Sequence, residues 1–175
     1  MPRFDRLTPV TAVGTSKDLL ADLTAKHGQI GDMTATMAVS PAVLSGYLQL
    51  SKAMRRTKLS RKTSERISIA VQERQGCGLC LQSHVDAARR LGIDEEEIDR
   101  ARNGTSDDPK IAAIIDLGLR VYREPSSITD EHINALRGHG FNDREIADVV
   151  GIVAINVLTG AFNLVAGLTP AHEPA

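Results

Sequence analysis

Residues 65–84 read Glu65-Arg66-Ile67-Ser68-Ile69-Ala70-Val71-Gln72-Glu73-Arg74-Gln75-Gly76-Cys77-Gly78-Leu79-Cys80-Leu81-Gln82-Ser83-His84. The first half carries an apolar face at Ile67, Ala70 and Val71, at helical spacing. Gly76 breaks that helix, and a second begins at Cys77. Residues three, four and seven apart share one face of a helix. Cys77, Cys80 and His84 stand at those separations, so their side chains point one way.

This is a thiol redox pattern. The thiolate, not the thiol, attacks peroxides and disulfides. Two effects favour a thiolate here, and they select different cysteines. The start of the second helix offers unpaired N–H groups and the positive dipole end, which favours Cys77. His84, one turn beyond Cys80, can take or relay the Cys80 proton. Such a histidine works best when a carboxylate orients it. If the two helices fold as an antiparallel hairpin about Gly76, Glu65 lies eleven residues before the turn and His84 eight after it. The mismatch of three residues is about 4.5 Å of helix rise, so Glu65 and His84 face each other at similar height. Glu65 is the preferred partner. Glu73 is second, because it falls beside the turn and the cysteines.

Outward from this stretch the signals remain helical. Ser40-Pro41 is an N-cap with proline in the first turn, and Ala42 to Arg55 follows with helical spacing. Arg55, Arg56, Lys58, Arg61 and Lys62 read as a solvated basic connector. The helix from Cys77 ends at Leu91-Gly92. Asp94 with Glu97 reads as a capping box. Asp108-Pro109 opens a helix that ends before Pro125, Thr129 caps residues 130–137, and Asn142 with Glu145 caps a long last helix. No useful strand alternation appears. The expected fold is therefore all-α: a single-domain helical bundle of about seven helices over residues 1–175. Its core spans about 40–168, with a loose tail at 169–175.

Composition narrows the function. Hydrophobic residues make up 42% and charged residues 25% of the 175, an ordinary soluble mixture. A net charge of −1 gives no electrostatic case for nucleic acid or an anionic membrane. Trp is absent, and three Phe and two Tyr do not furnish a stacking platform for single strands. Val149 to Leu168 has no charge and is long enough to span a bilayer. It also holds Asn156, Thr159, Asn163 and three glycines, and reads as the centre of a soluble bundle or an oligomer contact. Asn156 and Asn163, seven apart, share a face and need hydrogen-bond partners, either across such a contact or in a pocket near the thiols. Met1 to Arg6 shows no apolar signal region, so a reducing cytoplasm is the expected location.

Glu65, eleven residues, then Cys77-x-x-Cys80-x-x-x-His84 resembles the signature of the alkylhydroperoxidase D-like (AhpD-like) group of the carboxymuconolactone decarboxylase superfamily. The resemblance rests on about twenty residues and implies an all-helical, homo-oligomeric protein. It implies hydroperoxide reduction through a Cys77–Cys80 disulfide, with Glu65 and His84 as proton relay. By the same match Cys80 is the peroxidatic cysteine and Cys77 the resolving one. A dithiol reductant is the implied partner, and no cofactor is required. Some members carry a second histidine between the cysteines; Leu79 stands there in this chain, implying a shorter or weaker relay.

Other chemistries compete. Two Cys and one His supply three metal ligands where structural zinc takes four, and His27, His132, His139 and His172 show no paired spacing. Haem attachment requires His directly after the second Cys, where Leu81 stands. A lactone-decarboxylase-like lyase or a non-peroxidase disulfide reductase on the same fold is the alternative enzyme. A buried, inert cysteine pair in a non-enzymatic helical protein is the remaining reading.

Overall fold

The computed structural model describes residues 2–170. Its centre is the helix that carries Glu65. Ser60 accepts the Thr63 N–H at 3.1 Å and caps the start. Gly76, at φ 78°, ends the helix in the left-handed conformation that glycine adopts without strain. This helix, Arg61–Gln75, is α4 of nine α-helices among the described residues. Before it come α1 (Gly14–His27), α2 (Asp32–Met37) and α3 (Pro41–Met54). After it come α5 (Gly78–Arg90), α6 (Glu95–Arg102), α7 (Pro109–Arg123), α8 (Asp130–Gly138) and α9 (Asp143–Ala166). A 3₁₀ turn, Pro125–Ser127, links α7 to α8.

The result is a single-domain all-α bundle. Helix α4 packs against α5, α6, α7 and α9, so its middle, Ile67 to Gln72, is buried on every side while its charged residues lie toward the two ends. Ile67, Ile69 and Val71 from α4 meet Ile114 and Ile115 of α7 and Val149 and Val153 of α9 in the main core. Helix α9, long and apolar enough to cross a membrane by length and composition, packs one face against α3, α4, α5, α7 and α8 and leaves Val150, Leu164 and Val165 exposed. The basic connector is exposed but tethered: the Asp148 carboxylate of α9 accepts from Thr57 Oγ1 at 2.9 Å and from the Lys58 N–H at 2.7 Å.

Two expectations are corrected. The bundle has two helices more than the seven read from the sequence, and both precede Ser40. Neither α1 nor α2 has a side-chain N-cap bond. Their helicity is secured by packing, because Leu20, Met37, Ala38 and Leu44 form a second apolar cluster with Tyr47 and Phe162 at its edge. Second, the capping box at α6 is only half made. Asp94 accepts the Glu97 N–H at 2.8 Å, but the Glu97 carboxylate turns inward to Arg66 Nε at 2.8 Å and to the Ser106 hydroxyl. A part-buried guanidinium outcompetes a backbone N–H for a charged acceptor. Pro170 lies near Gly78 at the head of α5. Residues 171–175 lie outside the described residues.

The Arg66–Glu97 pair fastens α4 to α6. Removing one partner leaves the other charge poorly compensated away from bulk water. Glu97→Ala is expected to destabilise the fold by about 3–5 kcal/mol. Urea denaturation reads this as a lower midpoint at unchanged slope.

Candidate active site

Gly76 turns the chain so sharply that Cys77 becomes the N-cap of α5. Its Sγ accepts the Cys80 backbone N–H at 3.3 Å. Cys77 and Cys80 stand at disulfide distance, with Cα atoms 5.4 Å apart. Both are buried, Cys77 at 1% and Cys80 at 7% exposure, yet they differ in access. Cys80 lines a cavity of about 1090 Å³; Cys77 is not among the residues that line it.

The α4–α5 hairpin brings Glu65 to His84, with Oε2 2.7 Å from Nδ1. This contact sets the imidazole orientation and leaves Nε2 as the other ring position. Arg61, one turn before Glu65, approaches its second oxygen at 3.9 Å. Glu65, His84 and Cys80 line the same cavity. Glu73 does not join them: its carboxylate pairs with Arg102 Nε at 2.8 Å, on the α6 side of the bundle. Leu79, at the place of the second histidine, also lines the cavity and gives that wall an apolar side chain.

The rest of the cavity comes from elements far apart in sequence. Helix α2 supplies Met33 and Thr34, α3 supplies Tyr47 and Met54, the residue after α3 is Arg55, and α9 supplies Ile152, Ile155 and Thr159. Arg55 and Arg61 thus put two cations of the basic connector at the cavity. Burial pushes the Tyr47 phenol above its ordinary value, although a hydrogen bond with Ser51 and the nearby Arg55 charge act against it. Tyr47 therefore keeps its proton in the fold after an unfolded chain has lost it. The unfolded state then binds fewer protons, so stability falls as pH rises past the ordinary tyrosine range. Tyr47→Phe is expected to lose less stability over that alkaline window than the parent, measured by denaturation in parallel pH series.

Asn156 and Asn163 are both buried inside their own chain. Asn156 donates to Ser68 Oγ at 2.9 Å and accepts from Gln72 Nε2 at 2.9 Å, clamping α9 to α4. Asn163 reaches the sulfurs: its Nδ2 lies 3.2 Å from Cys80 Sγ. The sequence signal for Asn163 was its seven-residue spacing from Asn156; its destination depends on how α9 crosses the α4–α5 hairpin. Among the described residues no group of three or more His, Cys, Asp or Glu side chains is placed to hold a metal ion.

A helical bundle with a cysteine pair at the head of α5 and a Glu–His pair on one cavity wall defines a class of protein. Residues 41–117 match the model of the Carboxymuconolactone decarboxylase family. Particular relatives extend the likeness over the whole chain. The alkylhydroperoxidase AhpD core of an uncharacterized peroxidase-related protein from Ralstonia eutropha JMP134 superposes with a TM-score of 0.83 at 20% identity, covering 98% of this chain and 93% of that one. An uncharacterized peroxidase-related protein from Silicibacter sp. TM1040 does so with a TM-score of 0.76 at 20% identity, covering 99% and 96%. At such identity these two neighbours establish the AhpD-like fold. The uncharacterized protein YdfG of Bacillus subtilis strain 168 is 25% identical over 119 residues, which is 66% of this chain and 80% of that protein.

Proposed function

We propose that this chain is a thiol-dependent peroxidase that reduces organic hydroperoxides through a Cys77–Cys80 disulfide. One observation carries the reading: of the two cysteines, only Cys80 lines the cavity, on a surface shared with the Glu65–His84 pair. The peroxidase-related names of the structural neighbours agree with it. The cavity volume of about 1090 Å³ favours an organic substrate. Pockets for drug-sized molecules run to about 1,000 Å³, far beyond what hydrogen peroxide fills.

In this cycle His84, oriented by Glu65, takes the Cys80 proton through a water. The Cys80 thiolate attacks the terminal oxygen of the hydroperoxide. The O–O bond breaks, an S–O bond forms, and the alkoxide takes up a proton to leave as the alcohol. Cys80 is then a sulfenic acid. The Cys77 thiol displaces hydroxide from it, giving the disulfide and water. A dithiol donor reduces the disulfide by exchange and becomes a disulfide itself. Leu79 leaves the relay with a single histidine.

The test is a thiol count with intact mass on the reduced protein, before and after one equivalent of cumene hydroperoxide. Loss of both thiols with a mass decrease of two hydrogens is expected. Two unchanged thiols would overturn the reading in favour of a decarboxylase-like lyase or an inert pair.

A further inference from the structure

Asn163 is 2% exposed and sits on α9 facing the head of α5. Its Nδ2 lies 3.2 Å from Cys80 Sγ and 3.9 Å from Cys77 Sγ. Its Oδ1 has no hydrogen-bond partner in the fold. A buried amide left half satisfied is costly, and a leucine would fill much the same space without that cost. The sulfurs of a disulfide are weak acceptors and return little of it. A thiolate is different. Hydrogen bonds to an ionised acceptor are roughly twice as strong as neutral ones. The amide therefore gains most of its interaction when the pair is reduced.

The two sulfurs compete for the negative charge. Cys77 has the helix N-terminus and the Cys80 backbone N–H. Cys80 has Asn163. We propose that Asn163 is a catalytic residue: its amide N–H makes Cys80 the thiolate of the reduced pair, against the pull of the helix terminus on Cys77. The proposal rests on the thiol-redox reading above. Reduction by a dithiol breaks the S–S bond and leaves a Cys80 thiolate, a Cys77 thiol and one released proton, while the donor becomes a disulfide. Because the donor bond strengthens on reduction, it also makes the Cys77–Cys80 disulfide easier to reduce.

Other charges face the same cavity. His84 comes from α5, and Glu65 and Arg61 from α4. Asp32 from α2, Tyr47 from α3 and Arg55 just after α3 complete the set. The two carboxylates are engaged, Glu65 with His84 at 2.7 Å and Asp32 with Arg6 at 2.7 Å. Helix α9 contributes no ionisable side chain to the cavity, so from that side the amide is the polar group acting on Cys80.

The experiment titrates the ultraviolet thiolate absorbance of Cys80 against pH in a Cys77→Ser background, with Asn163 intact, Asn163→Leu and Asn163→Asp. Circular dichroism confirms the fold at each pH. Loss of one hydrogen bond to a charged group predicts a midpoint about one to two pH units higher in Asn163→Leu. Asn163→Asp keeps the shape, loses the donor when ionised, and is expected to shift the midpoint at least as far. It also serves as the second variant if Asn163→Leu fails to fold. A midpoint unchanged in a folded variant would overturn the proposal and make Asn163 a packing residue. The titration uses no peroxide. A shifted midpoint in a protein that leaves cumene hydroperoxide untouched would therefore sustain the donor role while removing the peroxidase reading.

Discussion

Cys80→Ser is expected to abolish hydroperoxide turnover, by at least about 10³-fold, as removal of a nucleophile does in enzymes that depend on one. Cys77→Ser is expected to behave differently. Its Cys80 still attacks, so one equivalent of hydroperoxide is consumed in a burst. With no dithiol donor present the reaction then stops, because the chain holds no second thiol to resolve the sulfenic acid. Trapping with dimedone and intact mass would place the oxidised sulfur. The reason for the asymmetry is geometric: Cys80 lines the cavity, whereas Cys77 is the 1% exposed N-cap. A burst from Cys80→Ser and none from Cys77→Ser would reverse the two roles.

Glu65→Gln is the second large effect. The amide keeps the size of the side chain but loses the charge that orients His84 across 2.7 Å. General acid–base assistance contributes about 10²–10⁴-fold, and a loss in the lower part of that range is expected in single-turnover hydroperoxide consumption. The melting temperature should move little, since the glutamine can still accept a hydrogen bond from the imidazole. A variant with altered melting but full reaction rate would make Glu65 a helix-start residue stabilised by the dipole and nothing more. Glu73→Gln is the control, because its carboxylate belongs to Arg102.

The Glu65–His84 contact was legible because it is nearly a local problem. One glycine break and a count of residues on each side predict which side chains meet across a helical hairpin. The caps at Ser40, Asp108, Thr129 and Asn142 were legible for the same reason: each bonds within three residues of itself. Glu97 shows where such reasoning fails. Its spacing from Asp94 fits a capping box, but Arg66, thirty-one residues earlier, holds its carboxylate. Helices α1 and α2 escaped because their few buried side chains pack on α3 and near α9, not on each other's periodicity.

The sequence by itself determined the all-helical class, the sulfur pair at the head of α5, and the partner of His84. All three depend on interactions within a hairpin or a few turns, where 3.6 residues per turn set the geometry. Tertiary structure alone decided which cysteine meets the cavity, that Glu73 turns away, and that Asn163 reaches Cys80 from eighty-three residues along the chain. Those outcomes depend on the angle and register at which α9, α2 and α3 pack on the α4–α5 hairpin. Many side chains settle that packing together, and no local spacing encodes it.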